Sequence, residues 1–328
     1  MTHPREVLLG AQAGAVALPV CDHYSGVEAR MRKSLQLQAE FSERFQACVF
    51  DVTLDCEDGA AVGAEAEHAQ LVTELVQGLD FECEIKPRVG VRVHAVDHPA
   101  FEADLAQIVG AVCQRLSHLM VPKVESVADV ERAVRALDAA GGQDLPLHVL
   151  IESPAAVHRA FDIAAHARVA SLSFGLMDFV SAHGGAIPSD GMGVAGQFSH
   201  PLVVRAKLEI ASACHAHGKV PSHCVVTEFK DRPALKQAAL RAARELGYTR
   251  MWSIHPDQIE PILEAFAPSA QEVDKSARII AAAHAADWAP IALDGQLHDR
   301  ASYRYYWQTL ERAHQTGCAM PVEASVFF

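Results

Sequence analysis

The chain lacks paired cysteines. Its eight cysteines are scattered, and none of them forms a CxxC pair of the kind found in zinc sites and redox motifs. Scattered cysteines are typical of reduced thiols, so we expect neither a disulfide framework nor a zinc site. The N-terminus also lacks a basic region followed by an uninterrupted apolar run, which argues against a signal peptide. These absences predict a cytoplasmic protein.

Long apolar runs and clusters of basic residues are also missing. No stretch approaches the roughly 20 uncharged apolar residues that a membrane-spanning helix needs, so we expect no membrane partner. Lys and Arg number 28 against 41 Asp and Glu, and the basic residues are not clustered, which argues against a nucleic-acid partner. The first strand–helix turn contains no GxGxxG, which disfavours dinucleotide binding.

The sequence does contain a repeated alternation of short apolar segments and helical patterns. Half of its 328 residues are hydrophobic and 21% are charged, enough for one large core. The predicted strands are Ala15–Pro19, Ala47–Val52, Val89–His94, His118–Pro122, Leu147–Ile151, Val169–Phe174, Lys219–Cys224 and Met251–Ile254. The predicted helices include Ala64–Gln77, Pro99–Arg115, Val127–Ala140, Pro201–His217, Arg232–Leu246 and Pro256–Ala265. This alternation predicts a closed TIM (β/α)₈ barrel, with an open doubly wound sheet as the alternative.

The pattern changes after Pro268. Ser269–Ala286 predicts a further helix, and a segment with Trp, Pro and Gly then precedes an aromatic helix at Tyr303–His314. We expect no strand in this tail. We therefore predict a catalytic barrel in residues 1–267 and a C-terminal helical lid and oligomerisation extension in residues 268–328.

Two acids lie at the ends of neighbouring predicted strands within Leu147–Gly185. Glu152 follows the first strand, and Asp178 comes shortly after the second. Because parallel strands place their C-terminal ends at one edge, both carboxylates should point into the same mouth. They repel each other unless a proton or a cation lies between them, and Mg²⁺ suits such a site. Each acid alone is equally typical of a helix N-cap or a solvated loop.

Other polar residues follow the remaining strands. Glu57 and Asp58 follow the second strand, the third carries Arg92 and His94, and Lys123 follows the fourth. One Arg, one Lys and several acids around one mouth suit a small anionic substrate held on a metal. On a loop at the same mouth, His183 is a candidate for contacting substrate.

The other histidines and the cysteines offer fewer candidates. None of the 18 histidines has the spacing of a zinc protease. We expect Cys224 to be a small buried hydrophobic residue rather than a nucleophile.

Six short motifs occur in a fixed order along the chain. They are Asp51-x-x-x-x-x-Glu57-Asp58-Gly59, Val91-Arg92-Val93, Val121-Pro122-Lys123-Val124-Glu125-Ser126, Ile151-Glu152-Ser153-Pro154, Phe174-Gly175-x-x-Asp178 and Ile254-His255-Pro256-x-Gln258. From about Val16 to Asp299, this chain resembles the citrate lyase beta subunit / malyl-CoA lyase family of the HpcH/HpaI aldolase superfamily. The resemblance implies a TIM barrel, Mg²⁺, lyase chemistry on acyl-CoA thioesters or 2-oxo acids, and a homo-oligomer, either trimer or hexamer.

The resemblance also implies roles for individual residues. Glu152 and Asp178 match the metal-binding acids, and Arg92 matches the arginine beside the reacting carbonyl. Glu57 and Asp58 match acids that lie near the metal through water.

The tail carries a further implied role. The segment Leu293–Asp299 resembles the family's lid motif, whose last Asp reaches into the neighbouring subunit's site as acid/base. That residue is Asp299 here.

This chain departs from the family pattern at several positions. His94 stands where Asn is usual, and no Arg lies just upstream of Leu18–Asp22. The helix after Glu57 and Asp58 lacks its usual starting Lys, and the seventh strand ends without the usual acid and glycine. These departures concern contacts to the CoA tail, so we expect free CoA to bind weakly.

The sequence thus predicts a Mg²⁺-dependent carbon–carbon lyase acting on an acyl-CoA thioester or a 2-oxo acid such as glyoxylate, pyruvate or oxaloacetate. The metal would act as Lewis acid, Arg92 would stabilise an enolate, and Asp299 would move the proton. One alternative is an acyl-CoA thioesterase in which the same metal activates water. The other is a non-catalytic subunit that has kept the acids.

Overall fold

Eight parallel strands close into a barrel in this protein, for which a computed structural model describes residues 3–10, 17–59 and 61–328. The strands are β1 (Cys21–Ser25), β2 (Phe50–Asp55), β3 (Val89–Arg92), β4 (His118–Val121), β5 (Leu147–Ile151), β6 (Val169–Phe174), β7 (Val220–His223) and β8 (Arg250–Ser253). Each strand pairs with the next, and β1 pairs with β8 to close the ring. The predicted TIM barrel is therefore confirmed, and the open sheet is excluded.

Helices follow most of the strands. They are α1 (Pro4–Leu9), α2 (Glu28–Phe45), α3 (Glu65–Gln77), α4 (Phe101–Asp104), α5 (Gly110–Val112), α6 (Val127–Ala139), α7 (Pro154–His158), α8 (Ala160–Ala165), α9 (Leu176–Ser181), α10 (Pro201–Ala216), α11 (Arg232–Glu245), α12 (Ile259–Phe266), α13 (Ala270–Ala285), α14 (Arg300–Gln315) and α15 (Val322–Ser325). Local sequence explains several starts: Ser153 caps α7 and Asp231 caps α11, each followed by a proline in the first turn.

The prediction for the first strand was wrong. It placed this strand at Ala15–Pro19, whereas β1 runs from Cys21 to Ser25. Ala15 and Val16 lie outside the described residues, and residues 17–19 form no strand. The strand β1 carries the polar residues Asp22 and Tyr24, so it does not read as an apolar run. These residues can lie inside the barrel because ion pairs and hydrogen bonds satisfy their polar groups. The long helix α2 that follows was missed as well.

Near the N-terminal ends of the strands, the barrel interior is polar. The buried Arg250 guanidinium lies 2.9 Å from Asp22 Oδ2 and 2.6 Å from Asp51 Oδ2. Burial alone would favour the neutral acid, but the charges of Arg88 and Arg250 lower the pKa of Asp51 to about 2. This ion-pair network joins β1, β2 and β8, whereas Met120, Leu150 and Trp252 form an apolar cluster nearer the C-terminal ends.

By its internal contacts the chain divides into two compact units. One is Pro19–Ala265, which contains the barrel, and the other combines the described part of Met1–Leu18 with Phe266–Phe328. The division into a catalytic barrel at 1–267 and a lid at 268–328 stays a prediction. None of the described helices is both long enough and apolar enough to span a membrane.

The second unit is built on two paired helices, α13 and α14. A capping box formed by Ser269 and Glu272 starts α13, and the buried Trp307 of α14 contributes to a core shared with α1. The expectation of a tail without strands was wrong. Ile291–Leu293 (β9) and Gln296–His298 (β10) form an antiparallel hairpin whose two-residue turn is Asp294-Gly295, both with positive φ.

Candidate active site

Charged side chains collect where the barrel strands end. Asp55 is the last residue of β2, and Arg92 is the last residue of β3. Glu152 directly follows β5, while Asp178 lies in the first turn of α9, after β6. Because all eight strands run in parallel, these residues lie at the C-terminal edge, where TIM barrels carry their active sites.

The guanidinium of Arg92 is buried and held in a fixed orientation. Its Nε donates to Asp55 Oδ1 at 2.6 Å and its Nη2 donates to Asp55 Oδ2 at 3.0 Å, a two-point contact. Tyr24 stacks against Trp252, accepts a hydrogen bond from Nη2 at 2.7 Å, and donates a short one to Asp55. Burial alone would lower the pKa of Arg92, but contact with Asp55 raises it well above its ordinary value.

Asp55 and Tyr24 were not among the residues that the sequence patterns predicted. The available signal for Asp55 was an acid at the end of a buried strand, two residues before Glu57. Tyr24 gave no comparable signal, because its own strand was misplaced.

Glu57 and Asp58 both contact Arg92, whereas their predicted place near a metal stays a prediction. Glu57 Oε2 lies 2.9 Å from Arg92 Nη1, and Asp58 Oδ2 accepts a hydrogen bond from Nη2 at 2.7 Å. The Asp58 side chain is 71% exposed, whereas that of Glu57 is only 9% exposed. Lys123 Nζ donates to the other Glu57 oxygen at 2.6 Å. Glu57 therefore lies between two cations, and Asp58 faces the solvent.

The Glu152 carboxylate is buried among other acids. Burial first, and then the charges of Asp178 and Glu57, raise its pKa to about 7. The backbone N–H of Lys123 donates to Glu152 Oε2 at 2.8 Å. The structure thus brings Glu152, Asp178, Glu57 and Arg92 together at one mouth, and their roles as metal ligands and catalytic residues stay predictions.

The local charge and chemistry of this cluster fit Mg²⁺. Glu152 and Asp178 supply hard oxygen donors, and burial together with the charges of Asp178 and Glu57 raises the pKa of Glu152. Carboxylate oxygens together with water and substrate oxygens are the ligands that Mg²⁺ prefers. A divalent cation would relieve the repulsion between the two acids.

Another group of possible ligands lies deeper in the barrel. Asp22, His118 and His148 place one donor atom each within 4.8 Å of one another. However, the two imidazole rings are stacked, with centroids 3.9 Å apart and planes 11° apart, so their in-plane lone pairs do not converge. Asp22 is also already paired with Arg250. This group does not have the donor set of a magnesium site.

The structure describes the surroundings of the histidine and cysteine candidates. His94 is buried, its Nδ1 lies 2.7 Å from Asp104 Oδ2, and its backbone N–H donates to the same oxygen. His183 Nδ1 lies 2.7 Å from the carbonyl oxygen of Phe179. The contact of His183 with substrate stays a prediction. Cys224 is buried as expected, but its thiol has a polar partner, the side-chain oxygen of Gln197 at 3.2 Å.

Asp299 is the N-cap of α14. Its Oδ1 accepts hydrogen bonds from the backbone N–H groups of Ala301 and Ser302 at 3.1 and 3.2 Å, and the residue is exposed. These contacts explain the local role of Asp299 as a helix cap. Its assignment as acid/base stays a prediction.

The fold and the acids at the strand ends define a TIM-barrel protein with a candidate metal-binding site at the C-terminal edge of its barrel. The family model described as HpcH/HpaI aldolase/citrate lyase matches residues 38–256. The chain therefore belongs to this family, which confirms the resemblance found in its motifs.

Relatives in the family include lyases and a thioesterase. An L-malyl-CoA/β-methylmalyl-CoA lyase of Cereibacter sphaeroides is 30% identical over 263 residues, covering 74% of this chain and 80% of the relative. A (3S)-malyl-CoA thioesterase of the same species is 27% identical over 275 residues, covering 83% and 89%.

Solved structures agree on the fold. A citrate lyase from Burkholderia xenovorans LB400 is 48% identical, with a TM-score of 0.80, and the match covers 100% of this chain and 99% of that one. The CitE protein of Mycobacterium tuberculosis, in complex with magnesium, acetoacetate and coenzyme A, is 22% identical with a TM-score of 0.63, covering 90% and 98%.

Proposed function

We propose that this protein is a Mg²⁺-dependent carbon–carbon lyase that cleaves or forms a bond in an acyl-CoA thioester or a 2-oxo acid. The observation that carries the proposal is that the buried Arg92 lies with Glu152 and Asp178 at the C-terminal edge of the barrel. The malyl-CoA lyase relatives support the reaction class, and the magnesium complex of the M. tuberculosis neighbour supports the cofactor.

Glu152 and Asp178 would hold the metal. When bound there, Mg²⁺ would act as a Lewis acid that polarises the substrate carbonyl. Lys123 keeps Glu152 in place through its backbone N–H, and the buried position of Glu152 limits competition from water.

Arg92 would stabilise the negative charge that develops on the enolate oxygen. Its two-point contact with Asp55 fixes the guanidinium before substrate arrives, so little reorganisation is needed during the reaction. Asp58 is exposed and contacts Nη2, so a substrate oxygen can take its place on that nitrogen. Arg92 thus binds the reacting end of the substrate and orients it.

Asp299 would move the proton in the site of a neighbouring subunit, which requires a homo-oligomer. A complementation experiment tests this part, with Glu152→Gln and Asp299→Ala as the two variants. We avoid substituting Arg92 here, because its removal leaves Asp55 buried without its cation. Each variant alone should be nearly inactive, and mixed reassembly should restore part of the activity. Mixed oligomers without activity would reject the shared site.

The reaction itself is tested by product analysis with malyl-CoA and a panel of 2-oxo acids in the presence of Mg²⁺. A lyase releases a free 2-oxo acid and keeps the CoA thioester intact. Release of free CoA thiol without a 2-oxo acid would identify a thioesterase, the second candidate, which the thioesterase relative favours. Mg²⁺ binding without either product would favour a non-catalytic subunit.

A further inference from the structure

We propose that Lys123, Gly175 and Glu57 are positioning residues that set Glu152 for a cation and tie its position to that of Arg92. The proposal rests on the proposed function, since it concerns how that site is assembled. It assigns separate tasks to the backbone and to the side chain of Lys123. It also moves Glu57 from the role of an acid near the metal to that of a link between two cations.

The backbone of Lys123 is held in an unusual conformation. Its φ is +52°, in the left-handed region that side-chain-bearing residues rarely adopt. In this conformation its N–H donates to Glu152 Oε2 at 2.8 Å. A residue with a side chain is strained in this region, so the surrounding fold must hold it there.

The side chain of Lys123 makes a contact of its own. Its Nζ donates to Glu57 Oε1 at 2.6 Å, and Glu57 Oε2 lies 2.9 Å from Arg92 Nη1. Both oxygens of Glu57 are therefore occupied by cations, and its side chain is only 9% exposed. Glu57 thus joins the residue that holds Glu152 to the residue that would bind the enolate.

Gly175 confines the other oxygen of Glu152. A Cβ built on Gly175 would lie 2.4 Å from Glu152 Oε1 and 2.4 Å from its Cγ, much closer than real atoms approach. The absence of a side chain at Gly175 is therefore needed for the carboxylate to lie against β6. Oε2 already accepts the hydrogen bond from Lys123, so Oε1 has more lone-pair capacity free for a cation.

The first experiment measures Mg²⁺ affinity by calorimetry, without turnover. Gly175→Ala should bind Mg²⁺ at least about 10-fold more weakly, the usual minimum when a group that orients a metal ligand is lost. Gly110→Ala is the matched control, because a Cβ there meets nothing within 4 Å. It should bind Mg²⁺ like the parent protein. Equal affinity of Gly175→Ala and the parent would overturn the role of Gly175.

The second experiment separates the two parts of Lys123. Lys123→Met keeps the backbone N–H but loses the ammonium, so Mg²⁺ affinity should stay within about threefold while kcat falls about 10- to 100-fold. Glu57→Gln should lower kcat by a similar factor. The double variant should lower kcat little more than either single variant, because both changes break the same link. Lys123→Arg should recover part of kcat, and Lys236→Met, on the exposed face of α11, is the control.

The outcomes distinguish this inference from the proposed function. If the parent protein neither binds Mg²⁺ nor cleaves substrate, the proposed function fails. If the parent does both and the losses of Lys123→Met and Glu57→Gln simply add, the link through Glu57 is rejected. If Lys123→Met loses Mg²⁺ affinity as strongly as Gly175→Ala, the separation between backbone and side chain is rejected.

Discussion

Replacing Glu152 with Gln should stabilise the metal-free protein at alkaline pH. Burial and the charges of Asp178 and Glu57 raise the pKa of Glu152 from its ordinary value of 4.5 to about 7. In the unfolded chain this carboxyl loses its proton near its ordinary pKa. Between these two pH values the folded state therefore binds more protons than the unfolded state, and stability falls as pH rises.

The size of the effect follows from the pKa difference. The stabilisation from the protonated carboxyl is complete below pH 4.5 and is lost as pH rises through about 7, a total of about 3 kcal/mol. Gln carries no charge, and its side-chain oxygen can still accept the hydrogen bond from Lys123. Urea unfolding in EDTA should therefore show Glu152→Gln more stable than the parent by up to about 3 kcal/mol at pH 8, with convergence near pH 4.5. Glu102→Gln, at an exposed position of α4, should show no such pH dependence.

Adding Mg²⁺ should reverse the order. A cation at 1,000 times its dissociation constant stabilises a folded state by about 4.1 kcal/mol, more than the gap of up to about 3 kcal/mol at pH 8, and only the parent has the full pair of carboxylates. A Glu152→Gln variant less stable than the parent at pH 8 without metal would refute the argument from burial and repulsion. Equal stabilisation of both proteins by Mg²⁺ would refute the assignment of Glu152 as a ligand.

Three further substitutions test other parts of the structure. Arg92→Lys should keep the fold but lower kcat at least about 10-fold, because lysine cannot make the two-point contact. Arg92→Ala should lower the free energy of unfolding in urea by about 3–5 kcal/mol, because it leaves Asp55 buried without its cation. Asp299→Asn should keep the cap of α14 and the stability of the protein but lose activity. Asp299→Ala should lose activity and also about 1 kcal/mol of stability, because the helix loses its cap. Full activity of Asp299→Asn would reject the acid/base role. Lys207→Met should raise stability at pH 7 by about 1–3 kcal/mol, because burial lowers the pKa of Lys207 to about 8 and no described carboxylate forms an ion pair with it. Lower stability of that variant would mean that the hydrogen bond to Gln197 outweighs the cost of burial.

Strand positions were predictable where the strands are apolar. Leu147–Ile151 and Val169–Phe174 were predicted to the residue, because parallel strands covered on both faces read as continuous apolar runs. The first strand was misplaced because Asp22 and Tyr24 lie inside it. Their partners, Arg250 and Arg92, are far away in sequence, so no local pattern marks Cys21–Ser25 as a buried strand.

The residues of the candidate site were predictable in part. An acid or arginine at the end of a parallel strand must lie at the C-terminal edge, so the convergence of Glu152, Asp178 and Arg92 follows from order along the chain. The pairing of Arg92 with Asp55 and the left-handed backbone of Lys123 do not follow from it. They depend on which side chains the closed barrel brings within 3 Å.

The sequence by itself therefore determined the eight-stranded barrel, the helical character of the tail and the set of charged residues at the mouth. Apolar runs, caps and strand ends are local signals that a single sequence carries. The tertiary structure alone decided that Glu152 has a pKa of about 7, that Glu57 lies between two cations, and that Asp299 caps a helix after a hairpin. These properties depend on burial and on distances across space between residues from separate strands and turns, and those distances exist only once the chain has folded.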